Sequence, residues 1–200
     1  LQVHNRVRSA DEYTPPTDLK AFDEVLNRKQ NPTDINDHLD RLFVESLSID
    51  PDTIVELGVR GGESTFVFER VARLIDSALV SVDIEDCSGV PDYDRQHFVH
   101  SDDVAFARRF DDWCTDYNIN AAVDVLFVDT SHQYEHTVME IEEWFPHLSD
   151  RSGVFFHDTN LTSLYRREDG TLGRGWDNDR GVIRALEEYF DCSLNETEPF

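Results

Sequence analysis

Thr53-Ile54-Val55-Glu56-Leu57-Gly58-Val59-Arg60-Gly61-Gly62-Glu63-Ser64-Thr65 packs a strand, a turn and a helix start into one short stretch. Thr53 to Leu57 is an almost continuous apolar run, the pattern of a strand covered on both faces. Gly58 to Gly62 is a glycine-rich turn, and Ser64 or Thr65 opens a helix. Glycines at 58, 61 and 62 let the backbone turn sharply and come close to a ligand, because no Cβ intervenes. The free N–H groups of the helix that follows point back at this turn. Together the parts predict a pocket at the carboxyl end of a first strand.

Outward from this stretch the chain alternates. Towards the C-terminus the periodicity predicts a helix over 64–76 and a strand over 79–82 closed by Asp83. Irregular chain over 84–96 leads to a short strand over 97–100, then a helix over 104–117. A strongly apolar strand over 123–128 is closed by Asp129, and a helix follows over 135–145. A strand over 153–156 ends in His157-Asp158. A long polar loop is expected over 159–178, then a helix over 181–190, and the last ten residues are expected to begin a sixth strand. Towards the N-terminus, residues 1–17 read as an arm. A helix is predicted over 18–30, and a second from Thr33 or Asp34 with Ile35, Leu39, Leu42, Phe43 and Leu47 on one face. Residues 1–50 are expected to cover the main domain, and 51–200 to form it. Strands alternating with helices argue for an α/β fold with a Rossmann-like, doubly wound, mostly parallel sheet. Ligands of such sheets bind outside the carboxyl ends of the strands.

Composition narrows the function. The formal net charge is -24, and lysine occurs only at Lys20 and Lys29. The chain is nevertheless 39% hydrophobic with 13 Phe, which supports a packed core rather than disorder. A solvated acidic shell poor in lysine resembles proteins of salt-accumulating halophiles, where dense counterions screen the self-repulsion. A basic partner is the alternative. A nucleic-acid ligand is not expected, since it needs a basic footprint. No apolar run spans a bilayer and no signal-peptide pattern lies at Leu1 to Ala10, so a cytoplasmic protein without membrane contact is expected. Cys87, Cys114 and Cys192 are odd in number and scattered, and read as reduced thiols.

The predicted strand ends share one chemical theme. Glu56, Asp83, Asp129 and Asp158 close four of them, and Ser101-Asp102-Asp103 follows the short third strand. All should lie along one edge of one sheet. Asp83 stands about where a doubly wound nucleotide site places the acid that accepts ribose hydroxyls. Asp102 suits an adenine amino group, with Ser101 and Asp103 as rivals. His132, three residues after Asp129, has an imidazole suited to accepting a proton near neutral pH.

The turn is G-x-x-G-G, not the dinucleotide G-x-G-x-x-G, and Glu56 precedes it. E-x-G-x-x-x-G resembles motif I of class I S-adenosylmethionine (SAM) methyltransferases, whose cationic cofactor suits an acid there. The blocks Val125-Leu126-Phe127-Val128-Asp129-Thr130-Ser131-His132-Gln133-Tyr134-Glu135 and Gly153-Val154-Phe155-Phe156-His157-Asp158-Thr159-Asn160 resemble the small-molecule O-methyltransferases of that superfamily. The nearest are the macrocin O-methyltransferase and cephalosporin hydroxylase-like group, and catechol O-methyltransferase is more distant. The resemblance implies SAM bound by Glu56, Gly58, Gly61, Asp83, Ser101, Asp102 and Asp129. It implies Mg²⁺ on Asp129 and Asp158 with Thr159 as a poor third, and catalysis by His132 with Asp129. The family pattern puts two acids, or an acid and an amide, after the fifth strand; His157-Asp158-Thr159 departs from it. The implied partner is a small-molecule acceptor, with a homodimer as an open possibility. The loop at 161–179 is expected to act as a substrate lid. The superfamily's sheet closes with a sixth and seventh strand; only the sixth would fit here, and the seventh is absent, truncated or replaced by a partner strand. A nicotinamide-dependent oxidoreductase and a non-catalytic SAM-binding protein are the rival readings.

Overall fold

The computed structural model describes residues 19–90, 93–159, 164–166, 172–174 and 180–193. Five strands form one parallel sheet: β1 (Thr53–Leu57), β2 (Ala78–Asp83), β3 (Gln96–His100), β4 (Val123–Val128) and β5 (Leu148–Phe156), in the order β3-β2-β1-β4-β5. The order reverses between β1 and β4, so the expected doubly wound α/β sheet is what forms, with its switch point beside the glycine turn.

Strand alternation divides the core into two layers. Ile54, Leu79, Val125 and Phe127 face α1 (Leu19–Arg28), α2 (Leu39–Ile49) and α3 (Glu63–Ile75). Val55, Leu57, Val80, Val82, Leu126 and Val128 face α4 (Asp103–Ala107), α5 (Phe110–Tyr117) and α6 (Tyr134–Trp144). A third cluster packs α7 (Gly181–Phe190) against α6. The N-terminal helices are part of the first layer: Val25, Leu39 and Phe43 are fully buried there. Each such side chain contributes roughly 1.5–3 kcal/mol of transfer free energy.

Three expectations need correction. The helix expected over 104–117 is two helices, α4 and α5, separated at Arg108-Arg109. The helix expected from Thr33 or Asp34 begins at Leu39, after a 3-10 turn at Asn36–His38. The polar loop expected over 159–178 contains the antiparallel pair β6 (Leu164–Arg166) and β7 (Leu172–Arg174). β-branched or aromatic character is sparse in both short strands, so no period-two signal marked them. The arm at 1–17, most of the expected lid and the final residues expected to start a sixth strand lie outside the described residues. No helix of the described residues is long and apolar enough to cross a membrane.

Candidate active site

Backbone hydrogen bonds carry the sheet ladder past the strand ends and align the expected residues. Ser101 N–H donates to the Asp83 carbonyl, Gly58 N–H to Val82, Asp129 N–H to Leu57 and His157 N–H to Val128, at 2.8–2.9 Å. The row along the carboxyl edge therefore reads Ser101-Asp102, Asp83, Gly58, Asp129, His157-Asp158. Gly58 is forced: φ is +88°, and a Cβ would sit 2.0 Å from the Asp129 carbonyl oxygen. Gly62 also has a positive φ, whereas a Cβ on Gly61 would meet nothing within 4 Å.

Glu56 does not reach the surface of this edge. It shares the parity of Ile54 and so points toward α3, where it is fully buried. Its oxygens accept from the hydroxyls of Ser64 (2.6 Å), Thr65 (2.9 Å) and Ser81 (2.8 Å). Burial pushes its carboxyl up to about 7, and these hydroxyls offset only part of that cost. Glu56 thus fastens the N-terminus of α3 beneath the turn.

Asp83 has the opposite balance. Burial alone would raise it, yet N–H groups from Glu85, Arg60 and Val59 hold it charged and below the usual carboxylate range. Oδ2 accepts from Val59 (2.7 Å) and Arg60 (3.0 Å), and Oδ1 from Glu85 (2.8 Å). Asp102 caps α4 through Oδ1 to Ala105 N–H at 2.8 Å. Ile84, directly after Asp83, is 72% exposed, an apolar side chain standing on the same edge.

At the other end of the row the chemistry concentrates. His132 Nε2 lies 3.0 Å from Asp129 Oδ1, and His157 Nδ1 lies 3.3 Å from the same oxygen and 3.5 Å from Asp158. Asp129, His132 and His157 offer ligand atoms that all lie within 4.8 Å of one another. Burial opposes charge on His157, but Asp129 and Asp158 outweigh it and push the ring up to about 10. The two imidazoles in turn hold Asp129 well below the usual range, against its burial. His132 and Asp158 both have left-handed backbone, φ +57° and +49°. Such conformations are strained for residues with a Cβ and gather at functional sites. The Thr159 carbonyl accepts from Ile183 N–H at the start of α7.

Neighbours that sequence reasoning missed complete the rim. Arg60, on the glycine turn, binds Asp34 at 2.7 Å and lies within the field of Asp129 and Asp158. The His38 ring centroid lies 6.4 Å from that of His157. The segment between α1 and α2 therefore reaches the same edge, which no local pattern in 33–38 announces. The place of His157 between two acids follows from the pairing of β4 with β5, which no sequence spacing encodes.

Comparison with known proteins bears on the fold and the family. The model of a family described as "Methyltransferase domain" matches residues 55–159, from β1 to the end of the acid-rich edge. The uncharacterized protein y4gI of Sinorhizobium fredii is 32% identical over 123 residues, which are 56% of this chain and 13% of that protein. The chain thus spans a small part of that relative. Among solved structures, the MycE methyltransferase of the mycinamycin pathway, in complex with Mg, SAH and mycinamycin VI, superposes with a TM-score of 0.52 at 22% identity, over 70% of this chain and 37% of that one. CalS11, a TDP-rhamnose 3'-O-methyltransferase of calicheamicin biosynthesis, superposes at 0.53 and 16% identity over 94% and 93%. Cofactor-bound Rv0187 from MTB superposes at 0.58 and 14% over 85% and 77%. Identities this low establish the fold alone. Membership rests on the family match over more than half of the chain, joined to a parallel sheet whose switch point carries the glycine turn: the chain belongs to the methyltransferase-domain family of the class I SAM-dependent methyltransferases.

Proposed function

We propose that the chain transfers the methyl group of SAM to a hydroxyl of a small-molecule acceptor, with His132 as the base. The observation that carries this reading is the Asp129–His132 contact at 3.0 Å. A carboxylate can only accept, so Nε2 holds the proton and Nδ1 keeps its lone pair. Nδ1 has no hydrogen-bond partner among the described residues. In the proposed reaction the imidazole takes the acceptor's proton, and Asp129 fixes the tautomer and steadies the imidazolium that results. A merely SAM-binding regulator has no use for this convergence, and the turn lacks the glycine spacing of a nicotinamide site.

The cofactor lies along the other half of the row. Asp83 Oδ1 accepts one N–H and has room for a ribose hydroxyl. Exposed Ile84 offers an apolar face to the adenine ring, and Asp102 Oδ2 suits its amino group. Gly58 and Gly61 let the chain approach, and Glu56 supports the turn from below.

Mg²⁺ fits the donors. Asp129 and Asp158 are two carboxylates that both reach toward His157 Nδ1, and Mg²⁺ binds through one or two carboxylates while keeping waters. Asp129 and Asp158 would hold the ion, which would lower the pKa of an acceptor hydroxyl.

Titration calorimetry with SAM and with NAD, with and without Mg²⁺, tests the reading together with two variants. SAM should bind and NAD should not. Asp83→Asn keeps an oxygen for the turn N–H groups and should weaken SAM about tenfold, the loss of one charge-assisted hydrogen bond. His132→Gln should keep the SAM affinity and slow methyl transfer by roughly 10²–10⁴-fold. Full activity in His132→Gln would remove the base assignment.

A further inference from the structure

A second cluster, sharing no residue with the first, sits between α4 and α6. Asp103 lies in the first turn of α4; His136 and Glu140 lie four residues apart on one face of α6. His136 Nε2 is 3.1 Å from Asp103 Oδ1 and 3.5 Å from Glu140 Oε1. One ligand atom from each residue lies within 4.8 Å of the others. Tetrahedral ligands about 2.0–2.1 Å from an ion are about 3.3 Å apart, close to these separations.

The burial is unusual. Glu140 is 1% exposed and Asp103 is 8% exposed. Asp103 Oδ2 and Glu140 Oε2 are buried with no hydrogen-bond partner among the described residues. Two buried carboxylates with unmatched oxygens cost several kcal/mol unless a cation joins them.

We propose that Asp103, His136 and Glu140 bind a divalent ion of the zinc type, which staples α4 to α6. One imidazole and two carboxylates form a donor set suited to zinc. The staple's position gives it a consequence. Asp103 follows Asp102 at one end of the carboxyl edge, and Thr130, next to Asp129, donates its hydroxyl to Glu140. The ion therefore ties both halves of the cleft to one point. The inference stands apart from the methyl-transfer reading.

The test is zinc content and affinity of the metal-stripped full chain, by elemental analysis and calorimetry with ZnCl₂. The reference is Asp129→Asn/His157→Gln, which dismantles the three-donor cluster at the active edge. It should retain one zinc per chain and gain melting temperature with it. His136→Gln or Glu140→Gln, added to that reference, should weaken zinc at least about 100-fold, a second-variant safeguard should one of them fail to fold. A reference that holds no zinc, or variants that bind it as the reference does, would leave a proton shared between the two carboxyls as the content of the pocket and overturn the proposal.

Discussion

At the scale of single residues, Glu56 and Asp83 show that neighbours, not position, set a carboxylate's charge. Both close adjacent strands and both are buried. Asp83 meets three backbone N–H donors and stays ionised; Glu56 meets three hydroxyls, with burial as its largest influence, and is pushed up to about 7. A carboxyl raised on folding stabilises the fold fully below its unfolded pKa, about 4.3, and that contribution is lost as pH rises through the folded value. Unfolding free energy should therefore fall between about pH 5 and about pH 8 in the native chain, by at most roughly 3 kcal/mol from this group. Glu56→Gln should remove that part of the slope, because the amide does not titrate. Urea unfolding of both proteins across this range reads the difference, in which other titrating groups cancel. Parallel stability curves would show that Glu56 is ionised in the fold.

At the scale of elements, the glycine turn was legible because its glycines interrupt an apolar run, yet the separate duties of those glycines were not. Gly58 touches the Asp129 backbone from the neighbouring strand, a contact seventy-odd residues away in sequence that only the sheet order reveals. Gly61 faces open space. Gly58→Ala should cost at least about 2 kcal/mol from the left-handed backbone and the clash, and should abolish SAM binding with the displaced edge. Gly61→Ala should leave the melting temperature nearly unchanged and lower SAM affinity, if the cofactor passes over that surface. Equal melting temperatures for the two would contradict the close approach at Gly58. The same reasoning explains what else was readable. β1, β2, β4, the end of β5 and α3, α6 and α7 carry continuous or periodic apolar patterns, so they stood out, whereas the polar first half of β5 did not. The Asp129–His132 pair was legible from its three-residue spacing. The break between α4 and α5, the β6–β7 pair and the convergence of His38, His157 and Arg60 depend on tertiary contacts, and no local period encodes those.

At the scale of the whole molecule, the surplus of acid needs an account that the fold does not supply. The chain carries 42 acidic and 18 basic residues. Most described cations are already committed: Lys20 and Arg70 to Glu24, Arg28 to Glu63, Lys29 to Asp40, Arg60 to Asp34, Arg73 to Glu69, Arg95 to Asp76 and Arg108 to Glu143. The remaining carboxylates repel one another across the surface, which favours the expanded chain. Such pairs of exposed ions add about 0–1 kcal/mol each and do not reverse that repulsion. Mobile counterions do reverse it, since the Debye length falls from about 10 Å at 0.1 M salt to about 3 Å at 1 M. The melting temperature should therefore climb steeply as KCl rises from about 0.1 M toward about 1 M, the interval over which screening becomes shorter than the spacing of surface charges. Sucrose at matched osmolarity separates this from general exclusion of solute, because a neutral osmolyte strengthens burial without screening charge. A melting temperature that ignores KCl, or that sucrose raises equally, would assign the acidic face to a basic partner instead, and titration with a polycation would then be the measurement that finds it.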